Sequence, residues 1–138
     1  MPMPDPEPFI DTTIILYLLS EDTDKADRAE EIVRAGGRIS VQVLNEFANV
    51  ARRKLSMSWG EISEILKLLR SVCSTDPLTL ETHERGLLVA ERYRLGIYDS
   101  LIIAAALIGN CGILYSEDMQ DGLLIDQQVR IFNPFTSF

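Results

Sequence analysis

With 138 residues, 46% of them hydrophobic and 25% charged, the chain has the composition of one ordinary globular domain, large enough to bury a substantial core. Thirteen basic residues against twenty-one acidic ones leave a net charge of −8. That balance works against nonspecific binding to nucleic acid, unless a local basic patch or a bound metal overrides it. No apolar run approaches the about 20 residues of a membrane-spanning helix, and the start carries neither a basic region nor an apolar signal core, so no membrane partner and a cytoplasmic location are expected.

MPMPDPEP places proline at every second position, so residues 1–8 read as an extended, mobile leader and residues 9–138 as a single folded domain. PFIDT reads as a short strand ending at Asp11, and TTIILYLLS as the buried helix that follows it. Thr23 is placed to cap DKADRAEEIVRA, which Gly36-Gly37 ends. RISV is a second strand, running into a helix from about Val41 to Leu55. SWGE, with Ser58 and Glu61, is a capping-box pattern for a further helix whose Ile62, Ile65, Leu66 and Leu69 share one face. SVCST, stopped by Asp76-Pro77, is a third strand, and Thr79 to Arg94 a helix. GIYDSLIIAAAL, apolar on every face from Leu101 to Leu107, is a buried helix with a carboxylate, Asp99, at its entrance. ILYS and VRIF complete five strands. Short apolar strands alternating with helices predict a parallel sheet covered on both sides by helices, an α/β fold.

That topology places the acids. If the ILYS strand runs parallel to the first, the helix before it runs antiparallel to both, and Asp99 at its amino terminus lies level with the strands' carboxyl ends. Asp11 ends the first strand, and Asp118 in YSEDMQDG closely follows the fourth. Glu46 falls just outside the apolar arc of Val43, Leu44, Phe47, Val50, Ala51 and Leu55, about five residues or roughly 7 to 8 Å down its helix, with its side chain tilted back toward the start. Four carboxylates from four segments would therefore converge where open parallel sheets bind their ligands. Like charges so placed raise one another's pKa, and the strongest remedy is a hard divalent cation such as Mg2+ or Mn2+ held by oxygen ligands. Such an ion activates water and polarises a phosphoryl oxygen, which suits phosphodiester hydrolysis. Taken singly, each acid also has a structural reading: Asp99 as an N-cap, Asp11 and Asp118 as turn residues, Glu46 as a partner for Arg53. Asp99 is expected to cap its helix and serve the metal as well.

FIDTTIILYLL, SVQVLNEFANVARR, YDSLIIAAAL and LYSEDMQDG, in this order, resemble the four acidic motifs of PIN-domain ribonucleases, most of all the VapC-type toxins of toxin-antitoxin systems, over nearly the whole chain from Phe9 to Phe132. The resemblance implies a three-layer α/β/α fold with a five-stranded parallel sheet, and Mg2+- or Mn2+-dependent cleavage of RNA. By position it makes Asp11, Glu46, Asp99 and Asp118 the catalytic metal ligands, Ser116 the small hydroxyl residue before the last acid, and Asp121 an auxiliary outer carboxylate. It further implies a homodimer and a small antitoxin protein that covers the site. The chain departs from the family pattern in carrying Thr13 where Asn or Ser is common. Arg52, Arg53 and Lys54, near Glu46, are candidates for the RNA backbone, with Arg92 and Arg94 a second set.

Other chemistries find little support. His83, the one histidine, shares a helix face with Leu80, Leu87 and Ala90 and reads as a partly buried packing residue. Trp59 reads as a packing anchor, and Cys73 and Cys111 as buried free thiols. No glycine-rich nucleotide-binding loop occurs. Two competitors to the enzyme stand beside it: a noncatalytic PIN-like binding protein whose acidic face engages a basic partner, and an acid-pocket phosphoreceiver, for which no lysine near a strand end is evident.

Overall fold

The computed structural model describes residues 6–136. Most of the expected leader, residues 1–5, lies outside the described residues, and residues 6–8 carry no helix or strand. Strand β1 (Phe9–Ile10) leads into the short helix α1 (Thr12–Leu16), a 3-10 turn (Tyr17–Leu19) and helix α2 (Thr23–Arg34). Strand β2 (Arg38–Ser40) is followed by helices α3 (Val41–Lys54) and α4 (Trp59–Val72), and β3 (Ser74–Asp76) by α5 (Leu80–Tyr93) and α6 (Ile97–Ile108). Strands β4 (Ile113–Tyr115), β5 (Leu124–Ile125) and β6 (Val129–Phe132) complete the chain.

The sheet order is β3-β2-β1-β4-β6-β5. The five expected strands are all present and all parallel, and a sixth, β5, adds antiparallel to the β6 edge. It was not legible in advance because two residues are too few to show alternation. The turn that folds β5 onto β6 closes through a hydrogen bond from Gln128 N to the Ile125 carbonyl, with Asp126 and Gln127 both at positive φ (48° and 57°). That is the backbone of a type I′ turn, built without the Asn-Gly or Asp-Gly pair that usually announces one.

From β1 the chain steps outward to β2 and β3, then reverses to β4 on the other side of β1. With right-handed crossovers the helices of the two halves belong on opposite faces of the sheet. Helices α1 to α4 pack among themselves, α5 packs along α6, and the groups meet where α3 touches α6. The α5–α6 contact is close because of Gly86, where a Cβ would stand 2.8 Å from Leu101 Cδ2. Phe9, Ile10, Ile39, Leu114 and Ile131 from the strands, with Ile102, Ile103 and Ala106 from α6, form the centre of the core. Among the described residues, no helix is long and apolar enough to cross a membrane.

Local capping follows the sequence in part. Ser58 and Glu61 form the expected capping box of α4, and Ser40, the last residue of β2, caps α3. Helix α2 is capped by Asp22 rather than Thr23, since Asp22 accepts from Lys25 N while Thr23 already lies in the helix, and Gly36 (φ +88°) ends that segment. Cys73 and Cys111 are buried and free. His83 and Trp59 differ from expectation by being exposed. The buried stripe of α5 runs through Thr82, Gly86 and Val89, which turns Leu80, His83 and Leu87 outward. Trp59, at the first turn of α4, is 62% exposed with the Arg52 guanidinium 5.1 Å from its ring centre.

Candidate active site

Strands β1 and β4 flank the point at which the strand order reverses, the place where parallel sheets open a crevice beyond their carboxyl ends. They pair in register, Phe9 with Leu114 and Ile10 with Tyr115, so the next residues, Asp11 and Ser116, come level. Asp11 N donates to the Tyr115 carbonyl at 3.0 Å, and Ser116 Oγ donates to Asp11 Oδ2 at 2.8 Å. Thr13 Oγ1 donates to the same oxygen at 3.1 Å, which fixes the carboxylate from both sides. Asp11 is 3% exposed, and its pKa is pushed up from 3.8 to about 6, chiefly by burial, with the two hydroxyls pulling the other way and Asp99 adding repulsion.

Three further carboxylates reach this crevice. Helix α3 starts at the carboxyl end of β2, so Glu46, in its second turn, remains near the sheet edge, where it accepts a 2.7 Å hydrogen bond from Thr12 Oγ1 rather than pairing with Arg53. Asp99 lies in the first turn of α6 but does not cap it. The N-cap is Gly96, no side chain caps that helix, and Asp99 accepts no hydrogen bond among the described residues. The expectation of a capping role fails because the helix begins two residues before the aspartate, which leaves the carboxylate free to face the crevice. Its pKa is raised by burial and then by repulsion from Asp118, which follows β4 and lines the same crevice.

Asp11, Glu46, Asp99 and Asp118 thus line one cleft of about 510 Å³. Thr12 and Thr13, Gln42, Asn45 and Asn49 of α3, and Tyr98 complete its polar lining, with no Lys, Arg or His from the described residues in it. Charge alone does not mark the uncharged members in the sequence; the three amides, at helical spacing on α3, are the signal that does. Among the described residues, no three His, Cys, Asp or Glu side chains are grouped tightly enough to hold a metal ion as they stand. The donor set itself, all oxygen and opposed by no protein cation, fits a hard divalent ion rather than a thiol- or imidazole-seeking one.

Other expected residues lie elsewhere. Asp121 stands outside the cleft, where its Oδ1 accepts from Asn133 N at 2.8 Å and anchors the segment after β6. Arg52 and Arg53 are exposed and do not line the cleft; Arg52 donates to the Met57 carbonyl and stacks on Trp59. Lys54 lines an adjoining hollow that shares Thr13, Leu16, Val50 and Asp118 with the cleft. Arg92 pairs with Asp126 at 2.9 Å.

The PIN domain family matches residues 9–120 of the chain. A comparison with curated protein sequences finds no significant match. Solved structures share the fold. A toxin-antitoxin complex from Klebsiella pneumoniae superposes with a TM-score of 0.68 at 18% identity, covering 92% of this chain and 97% of its own. VapC20 of Mycobacterium tuberculosis, described as a toxin that cleaves the sarcin-ricin loop, gives 0.66 at 15% identity over 80% and 89%. VapBC2 of Rickettsia felis, bound to a DNA fragment from its promoter, gives 0.64 at 16% identity over 91% and 98%. A family match that spans all four acid-bearing segments, on a fold that gathers them into one crevice, makes this chain a member of the PIN domain family.

Proposed function

We propose that the protein is a divalent-metal-dependent endoribonuclease of the VapC type, the toxin of a toxin-antitoxin pair, with Asp11, Glu46, Asp99 and Asp118 as its catalytic ligands. The observation that carries this reading is the convergence of those four carboxylates on one cation-free cleft at the strand-order reversal. The toxin-antitoxin descriptions of structures that share the fold support it further.

The four carboxylates would hold Mg2+ or Mn2+, which when bound supplies Lewis-acid polarisation of a phosphoryl oxygen and a more acidic water. Ser116 and Thr13 hold Asp11 in one orientation through Oδ2, and Thr12 does the same for Glu46. These hydroxyls act as positioning groups, because ordered carboxylates need less rearrangement to engage a ligand. Lys54, beside the cleft, is the basic residue best placed to meet the RNA backbone. An antitoxin would act by covering the cleft.

Incubating the purified protein with labelled RNA and Mn2+ or Mg2+ tests the enzyme. Wild type should cut and should gain thermal stability with the metal, and Asp99→Asn should lose both. Equal degradation by wild type and Asp99→Asn would mean a contaminating nuclease. The toxin role predicts growth arrest on expression, relieved by a small protein encoded beside it. The acidic surplus favours one other reading, a noncatalytic module for a basic partner, which metal binding without cleavage would support.

A further inference from the structure

The α3 wall of the cleft holds more than Glu46. Around that carboxylate it presents Gln42, Asn45 and Asn49, spaced i, i+3 and i+7 on one helix face and spanning about 10 Å along the axis. Among the described residues none of these carboxamides has a hydrogen-bond partner. Gln42 is only 7% exposed as a residue, yet its carboxamide is not among the buried unpaired polar atoms, so its amide end opens onto the cleft. Beside Asp99, at the lip, Tyr98 is 64% exposed and lines the same cleft.

A carboxamide offers two N–H donors and a carbonyl acceptor, the complement of a nucleobase edge rather than of a phosphate. An exposed aromatic ring offers a stacking face that any base can use, provided the base is not already paired. We infer that this wall is a base-reading subsite: Tyr98 stacks on an unpaired nucleobase next to the bond to be cut, and Gln42, Asn45 and Asn49 read the edge of that base or its neighbour. The inference rests on the nuclease reading and gives it a source of selectivity that does not need a basic surface.

The test is cleavage of a random-sequence single-stranded RNA pool with Mn2+, followed by sequencing of the new ends. Wild type should show a base preference beside the cut and spare the same sequences in duplex form. Asn45→Ala and Asn49→Ala, both at exposed positions, should flatten the preference while cutting continues. Tyr98→Ala should raise KM about tenfold with a smaller change in kcat, and Tyr98→Phe should restore KM. Variants that keep the wild-type preference and KM would overturn the inference and leave the nuclease intact. If wild type cuts nothing, the nuclease reading falls, and anisotropy of labelled single strands in EDTA decides the subsite separately. Binding weakened about tenfold by Tyr98→Ala supports it, and unchanged binding overturns it.

Discussion

Asp126 and Asp99 are both partly buried carboxylates on the surface of the same domain, yet their surroundings are opposite. Asp126, in the turn between β5 and β6, receives Arg92 Nη1 at 2.9 Å and the Tyr93 hydroxyl at 3.0 Å, with Arg85 Nη2 at 3.8 Å. Tyr93 in turn accepts from Asp126 N at 2.8 Å. Among the described residues, Asp99 has no cation or donor of its own, and the charge that acts on it is that of Asp118. Even neighbours in sequence divide this way. Glu117 is tied to Lys25 at 2.9 Å and to the Tyr17 hydroxyl, while Asp118, one residue on, turns into the unneutralised cleft. Where a carboxylate serves the fold, the chain supplies its countercharge. Where four of them are left without one, the missing charge is expected from outside.

The largest effect that bears on this contrast is catalytic. Asp99→Asn should reduce RNA cleavage by about 100-fold or more, while Asp126→Asn should leave the rate near wild type. Equal losses in the two would erase the distinction between the regions.

Next is a stability effect of unusual sign. The folded protein holds the Asp11 proton up to about pH 6, whereas the unfolded chain releases it near 3.8. The folded state therefore binds the proton more tightly across that window, and the Asp11 contribution to stability falls as pH rises from about 4 through about 6. In EDTA, Asp11→Asn should be more stable than wild type at pH 7 by about 1 to 3 kcal/mol, and the gain should vanish near pH 4. Thermal melts of both proteins across pH measure it, and a less stable variant at pH 7 would show that Asp11 is not strained by its burial.

Ser116→Ala removes a donor to Asp11 without touching a carboxylate, so half-saturation by Mn2+ in a thermal-shift titration should move up about tenfold. The smallest effect belongs to the neutralised region. Asp126→Asn should cost about 1 kcal/mol or less in a denaturant melt, because Arg92 is mostly exposed and such pairs contribute little. A larger loss would mean that the β5–β6 turn depends on its ion pairs.

The acids were legible in sequence because the topology argument needs only the order of strands and helices. Strand ends and helix starts alternate along the chain, so Asp11, Asp99 and Asp118 fall at one edge whatever the side chains do. Glu46 required helical phase as well, and it lies in the second turn of α3, lining the same cleft. The capping of α6, the exposure of His83 and Trp59, and the duties of Asp121 and Arg92 were not legible, because each depends on a partner from a distant segment or on which of two plausible helix faces packs inward.

By itself the sequence determined the five parallel strands, the helices between them and the four-acid crevice, since periodicity and chain order act locally and fix which ends meet. The tertiary structure decided which charges are matched and which are left open, pairing Asp126 with Arg92, Glu117 with Lys25 and Asp11 with Ser116, and leaving Asp99, Asp118 and three carboxamides facing the cleft. Countercharge and hydrogen bonds are set over a few ångströms in space, between residues up to about a hundred positions apart, and no one-dimensional pattern records that proximity.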